Sequence, residues 1–560
     1  MGYVHRSSTA IIVLALASAG AFAQTDLLAE VLRLQDAARA ARTERLAGAF
    51  GLSTDRVLSP QGILQLVDFD EHGPLYLSTH TNAMSAVTIR VNQLHKPNGT
   101  LTGFGSTIGI WDGGHILLTH QEFINRTFLG DGPFGPADHP THVAGTAAAS
   151  GISPNAKGMA FKASKIFSYD WNSDLTEMAA AASLGSIRVS NHSYGFVAGW
   201  QFGAPFAGAW GWFGNPAATE DFKFGLYDST ARDHDQIART YPNYTIFRSA
   251  GNDRNQGPPN QPIGHYEWNG SQWVWTTAVR PLDGAPAGYD TIPMTANAKN
   301  IVTIGAVGAV PNYTGPASVP MSSYSSWGPT DDGRIKPDLV AQGDSVWSTM
   351  AANNAAYGTM SGTSMASPAA AGAGVLLNQL IGASLGSNTP SHVLKGLLIH
   401  TADECGPAPG PDYMFGWGLI NAKRAHDYWK NLASGSSIDV TLNSGQTYFT
   451  TIIHSGGPLK VTICWTDVPG PVSANVVDSP TLRLVNDLDL RVRRSPFGIW
   501  RAPWVLNPAM PSAPATTGDN FRDNVEQVMF ANAVPGLYQI RVSHKGALVG
   551  GSQRFAIFTS

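Results

Sequence analysis

The sequence predicts an α/β domain, a mainly parallel sheet flanked by helices, followed by an all-β domain of jelly-roll or sandwich type. Three observations carry this. From about residue 105, short β-rich runs (107–111, 165–168, 187–190, 244–249 and 301–307) alternate with helical ones such as 175–184 and 233–240. Strands alternating with helices pair in parallel, because a parallel neighbour requires a crossover of helix length. The almost uncharged run 369–380, rich in Ala, Val and Leu, reads as a buried helix. Past Asp427 the helical pattern gives way to alternating runs (438–442, 447–453, 459–465, 488–492, 525–530 and 538–542) separated by turn residues, the mark of packed antiparallel sheets. The break between the two domains falls near residues 434–436, and no internal repeat is evident.

Ahead of the α/β domain stands a leader. Arg6 supplies positive charge, residues 10–19 are apolar, and Ala21-Phe22-Ala23 forms a cleavage site of the A-x-A kind. Residues 27–52 then carry Leu27, Leu28, Val31, Leu32, Leu34 and Leu46 in an amphipathic helical pattern. Two strand-like runs, 63–67 and 74–78, flank a polar turn at 70–73 as a hairpin would. The expected organisation is a signal peptide over 1–23, a propeptide or N-terminal segment over 24–90, the α/β domain over 91–432 and a β-domain over 433–560. Maturation is expected between Ser78 and Val91.

Composition narrows the function classes. A chain of 560 residues with 43% hydrophobic and 14% charged residues can bury a large core, and its net charge of −4 offers no electrostatic case for a nucleic-acid partner. No later apolar run reads as a membrane anchor, so an exported, monomeric protein is expected, extracellular or periplasmic. Two cysteines, Cys405 and Cys464, exclude a dense disulfide framework and a four-thiolate metal site, and leave one disulfide open.

Four motifs carry chemistry. Gly362-Thr363-Ser364-Met365-Ala366-Ser367-Pro368 sets a serine at the start of the buried helix, where unpaired N–H groups and the macrodipole suit an oxyanion. Alone, Ser364 reads as an N-cap. Asp112 ends the run 108–112 before two glycines, placing it at the carboxyl end of a strand, and by itself it reads as a turn aspartate. In His139-Pro140-Thr141-His142, either histidine could serve by composition as a base or as a cap. Asn252 ends the run 246–252, and its side-chain amide could donate to an oxyanion. Hydrolysis through a serine needs a base, a carboxylate to orient that base, and oxyanion donors, and Asp112, His139 and Ser364 stand in one of the chain orders known for that geometry.

These motifs together resemble the subtilisin family of serine peptidases. The resemblance implies a subtilisin-like fold and an endopeptidase acting on proteins and peptides through an acyl-enzyme. It assigns His139 as general base, His142 as structural, and Ser193, Tyr194 and Gly195 as the edge along which a substrate backbone pairs. It extends into the last domain, where residues 459–467, 484–490 and 523–526 look like the C-terminal β-barrel of the alkaline, oxidatively stable subtilases. No cofactor is needed for the chemistry. Structural calcium is an option, with Asp467, Asp487 and Asp489 as candidate ligands in aspartate-rich turns.

Two departures stand out: Pro140 follows the histidine where the family has glycine, and Gln342 interrupts an Ala-Pro-Gly stretch. Pro140 is harmless at a helix N1 position. Sedolisin-type peptidases share the Gly-Thr-Ser motif but use a glutamate base and an oxyanion aspartate, whereas this chain offers His139 and Asn252. Two rivals from other classes are a catalytically dead binding protein and a carbohydrate-binding β-domain using Trp500 and Trp504.

Overall fold

The computed structural model describes residues 21–55, 57–59, 62–70, 73–79, 85–95, 101–132, 134–432 and 438–560. The leader up to residue 20, residues 80–84 of the maturation window and the domain break at 434–436 lie outside the described residues.

The amphipathic run forms helix α1 (Ala21–Phe50), followed by β1 (Val57–Ser59), β2 (Gly62–Phe69) and β3 (Pro74–Thr79), with β2 and β3 paired as the expected hairpin. The α/β unit is built on seven strands: β4 (Thr107–Asp112), β5 (Thr127–Leu129), β6 (Lys165–Asp170), β7 (Val189–His192), β11 (Thr245–Ser249), β14 (Val302–Val307) and β15 (Leu339–Gln342). They pair in the order β15-β14-β11-β7-β4-β6-β5, and every pairing is parallel.

Successive residues of a strand face opposite sides, so one strand feeds two layers. Ile108 and Ile110 of β4 point into a core shared with helices α2 (Asp138–Ala148), α5 (Thr363–Leu385) and α6 (Ser391–His400). Trp111 points the other way, into a core shared with α3 (Asp174–Ser183), α4 (Ser229–Thr240) and Leu28 and Leu32 of α1. Helix α5 is the buried helix of the sequence reading. Its length and mean hydropathy would suffice to cross a membrane, correcting the expectation that no later run would, but it lies inside the catalytic core. It approaches α2 closely because Gly372 has no side chain: a Cβ there would stand 2.7 Å from the Ala147 carbonyl oxygen.

Between Phe196 and α4, and again before β14, the chain builds a second sheet that sequence periodicity did not predict. Its strands β9 (Trp200–Phe202), β10 (Trp210–Trp212), β12 (His265–Trp268) and β13 (Trp273–Thr276) pair in the order β13-β12-β10-β9. Its aromatic side chains hold the N-terminal segment: Trp268 meets Phe50 edge-on at 5.1 Å, and Phe213 meets Tyr76 at 5.5 Å.

The last domain is the expected sandwich. Strands Asp439–Asn443, Ser552–Thr559, Gly457–Cys464 and Val525–Ala533 form one antiparallel sheet, and Tyr448–His454, Gly536–His544 and Leu488–Arg494 form the other. The two domains share a core: Cys464, Val525, Ala556 and Phe558 join the cluster that includes α6, and a Cβ on Gly396 would stand 2.6 Å from the Phe558 ring. Cys405 and Cys464 are both buried free thiols, not joined in a disulfide.

Polar groups lock the same interface. Lys299 and Asp467 form an ion pair, both fully buried, and Lys299 Nζ also donates to the carbonyls of Val468 and Arg483 at 2.6 and 2.7 Å. Asp467 completes its shell by accepting the N–H groups of Val485 and Asn486 at 2.9 and 2.8 Å. Removing one member of a buried, hydrogen-bonded pair leaves the other charge uncompensated. Lys299→Met is therefore expected to destabilise the protein by about 3–5 kcal/mol in urea unfolding. A loss under about 1 kcal/mol, the scale of an exposed pair, would remove this assignment.

Candidate active site

Three adjacent strands deliver the site. The carboxyl ends of β4, β7 and β11 lie side by side in the sheet, and the residues at or just past them are Asp112, Ser193 and Asn252. Asp112 is fully buried. Its Oδ1 accepts from His139 Nδ1 at 2.8 Å and from the Gly113 N–H at 2.7 Å, which fixes the carboxylate and aims it at the imidazole.

His139 is the second residue of α2, whose N-cap is Ala137, so Pro140 occupies the third position rather than the first. The substitution is tolerated for the reason that applies at N1. The helical ladder starts with the Thr141 N–H donating to the Ala137 carbonyl at 3.3 Å, and the N–H that proline lacks has no intrahelical acceptor. His142 lies one turn on and faces away, its Nε2 bonded to the Val346 carbonyl at 3.0 Å. Burial, with a smaller push from His139, brings its pKa down to about 3 and leaves the ring neutral at ordinary pH.

Ser364 is the second residue of α5. The N-cap is Gly362, with no side-chain cap, so the capping role that a lone Gly-x-Ser suggests does not fall to Ser364. Its Oγ donates to the Ser193 carbonyl at 3.1 Å, and Ser193 Oγ donates back to the Ser364 carbonyl at 2.8 Å. Asn191 supports this exchange by donating to Ser193 Oγ at 2.9 Å while accepting from Ser367 Oγ at 2.7 Å. Asn252 is tied to the same helix start: its Oδ1 accepts from the Thr363 N–H at 2.9 Å and from Thr363 Oγ1 at 3.0 Å. With the oxygen engaged twice, the amide nitrogen is turned away from Thr363.

Beside Ser364 runs a cleft walled by Ser193, Tyr194, Gly195, Asp253, Pro293 and Thr295. Asp253 was not singled out from the sequence, although it directly follows Asn252. Its carboxylate receives Ser326 Oγ at 3.2 Å, and burial, which that bond offsets only in part, raises its pKa to about 7. A larger cavity of ≈230 Å³ lies between α1 and the catalytic unit, lined by Asp36, Arg39 and Arg248, and it shares Tyr194, Phe196 and Thr295 with the cleft.

The expected substrate edge is occupied. Strand β8 (Tyr194–Phe196) pairs antiparallel with β3 of the N-terminal hairpin in the register Leu77↔Phe196, Ser78↔Gly195 and Thr79↔Tyr194. The Val197 N–H adds a bond to the Tyr76 carbonyl at 2.6 Å. The strand therefore runs toward Ser193 and Ser364, and the chain's own segment lies where a substrate backbone was expected.

The three candidate calcium ligands meet cations of a different kind. Asp467 is bound by Lys299, while Asp487 and Asp489 face Lys545 Nζ at 2.9 and 3.3 Å, and Asp489 also pairs with Arg491 at 3.0 Å. Basic side chains thus neutralise all three. Of the two tryptophans, Trp500 has the guanidinium groups of Arg493 and Arg541 over its ring at 4.4 and 4.9 Å, and Trp504 packs against the interdomain core beside Gly410.

Residues 133–418 match the model of the subtilase family, described as peptidase S8, a stretch that includes His139, Asn252 and Ser364 and begins after Asp112. Over 156 residues the chain is 35% identical to a C5a peptidase of Streptococcus pyogenes serotype M3, covering 26% of this chain and 13% of that protein. A PII-type proteinase of Lactococcus lactis subsp. cremoris is 49% identical over 61 residues, 11% of this chain and 3% of its own length. The match thus spans a small part of each relative. Among solved structures, the prenylagaramide maturation protease PagA aligns with a TM-score of 0.41 and 16% identity, over 60% of this chain and 98% of that one. With the family model covering just over half of its length, and with the aspartate, histidine and serine motifs built around one parallel sheet, the chain belongs to the subtilase family of serine peptidases.

Proposed function

We propose that this protein is an exported endopeptidase in which Asp112, His139 and Ser364 act as a triad and Asn252 as an oxyanion donor. The observation that carries the reading is the 2.8 Å bond from His139 Nδ1 to a fully buried Asp112, at the sheet end where Ser364 and Asn252 are also anchored. With Nδ1 committed to the carboxylate, Nε2 is the nitrogen that takes the Ser364 proton. Ser364 Oγ then attacks the peptide carbonyl carbon, and the resulting alkoxide is held by the Asn252 amide and the Ser364 N–H. Collapse breaks the C–N bond, and His139 returns its proton to the departing amine. A water molecule, deprotonated by the same nitrogen, attacks the acyl ester, and Ser364 recovers its proton as the acid product leaves.

Substrate enters as a strand added to β8, with Ser193, Tyr194 and Gly195 supplying backbone partners. The pairing of β3 with β8 supports this reading, since it places an extended segment on that edge in antiparallel register. The N-terminal segment is then a propeptide that blocks the cleft until the chain is cut between Ser78 and Val91, and the leader directs export. An organophosphonate should label the purified protein once, on Ser364, as read by peptide mass spectrometry. A label on any other residue sinks the assignment.

Asn252→Ala is expected to reduce kcat by about 10²–10³-fold, the scale of the corresponding donor in subtilisin, with KM nearly unchanged. A variant that loses KM and keeps kcat would make Asn252 a binding residue instead.

A further inference from the structure

Away from the catalytic residues, four carboxylates converge from four separate stretches of chain. Glu220, Asp290 and Asp478 each offer an oxygen within 4.8 Å of the others. Asp331 joins them over Gly225, where a methyl group would stand 2.1 Å from Asp331 Oδ1 and 2.7 Å from Asp290 Oδ1. The first two and Asp331 are half-buried, and Asp478 is exposed. Three of the oxygens, Asp290 Oδ1 and both of Asp331, are themselves buried and receive no hydrogen bond.

That arrangement is costly without a cation. Neighbouring carboxylates are neutralised, Asp221 by Lys223 at 2.7 Å and Asp332 by Arg334 at 2.9 Å, whereas none of these four forms an ion pair among the described residues. Burial and mutual repulsion raise Asp331 to about 8 and push Asp290 well above the carboxylate range. A donor set of carboxylate oxygens, with no nitrogen or sulfur, selects a hard divalent ion. Calcium takes six to eight oxygen ligands, carboxylates among them, whereas magnesium gives up its waters reluctantly, so a group of four protein carboxylates favours calcium.

We propose that Glu220, Asp290, Asp331 and Asp478 form a calcium site that clamps the β-domain's long connection, residues 465–487, onto the catalytic unit beside the cleft. Asp478 is the β-domain's contribution, and the other three come from catalytic loops. Asp290 lies three residues ahead of Pro293, which with Thr295 walls the cleft next to Ser364. Calcium at this point ties that wall to the second domain.

The test uses the full chain carrying Ser364→Ala, to prevent self-cleavage, after chelator treatment and desalting. Calcium chloride is titrated by calorimetry, and thermal unfolding is followed with and without saturating calcium. The parent is expected to bind one more calcium per chain than variants that also carry Asp331→Asn or Asp478→Asn. Its Tm should rise with calcium by several degrees, a shift that both variants lose. Neutralising one member of a crowded acidic group relieves repulsion, so the calcium-free variants should unfold no lower than the calcium-free parent, and circular dichroism verifies that they are folded. Equal stoichiometry and equal Tm shifts in parent and variants, or no calcium bound by the parent, would overturn the site.

Discussion

Ser364→Ala is expected to lower peptide hydrolysis by about 10⁶-fold, the scale found for the nucleophile of subtilisin, while the fold stays intact. The two halves of that expectation have separate grounds. Chemically, no other hydroxyl holds the same place: Ser193 Oγ is committed to the Ser364 carbonyl and Ser367 Oγ to Asn191. Structurally, the Ser364 side chain makes one neutral bond, to the Ser193 carbonyl, and it does not cap α5. Losing such a bond costs about 1 kcal/mol, and the reciprocal bond from Ser193 reaches the Ser364 backbone, which alanine keeps. The measurements are casein or peptide hydrolysis with active-site titration of the wild type, and thermal unfolding of both proteins. Hydrolysis by the alanine variant at even a hundredth of the wild-type rate would mean another nucleophile.

Asp112→Asn should have the next largest effect, about 10⁴-fold in kcat with little change in KM. Asp112 Oδ1 accepts two bonds at once, from His139 and from Gly113. An asparagine oxygen in the Oδ1 place can accept both bonds but no longer carries the charge that stabilises the imidazolium, and with the amide turned the other way its N–H faces the ring, so that the imidazole must turn over its tautomer to receive it. The nitrogen meant to take the serine proton would then already carry one. Because the variant keeps nearly the same shape in a fully buried place, its unfolding should remain cooperative. A drop of less than tenfold would reassign Asp112 to a structural part.

The parts of the site that could be read from sequence share one property: each is a short, local signature at the end of a β-rich run. Asp112, Asn252 and Ser364 stand where a strand or tight turn gives way to a helix or loop, and local composition marks such places. Five of the seven strands of the catalytic sheet, β4, β6, β7, β11 and β14, were legible from their apolar runs, whereas β15 and the short, largely exposed β5 were not. What escaped depends on contacts between distant segments. The sheet of β9, β10, β12 and β13 is made of strands three or four residues long, too short for alternation to be seen, and its stability comes from aromatic rings meeting across strands. The last strand, Ser552–Thr559, hides its pattern because four successive residues from Phe555 are buried. The pairing of Leu77 with Phe196 joins segments far apart in the chain, and nothing in either segment announces the other. The same holds for Glu220, Asp290, Asp331 and Asp478. By contrast, Asp467, Asp487 and Asp489 looked like ligands because aspartates in turns are conspicuous, while their partners Lys299, Lys545 and Arg491 become evident only in three dimensions.

The shared interior of the two domains bears on how this chain can be inherited and engineered. Gly396 lets the Phe558 ring rest directly on α6, and Cys464 beside it closes the same contact. A graft that kept residues up to 432 and attached a foreign β-sandwich would need a partner presenting a ring of the same size at the same height, or the catalytic helices would meet solvent along one face. The β-domain is therefore not a spare part. Changes on either side of that surface must be made together, and sequence variants that recombine near residue 435 should survive only when both halves descend from the same parent.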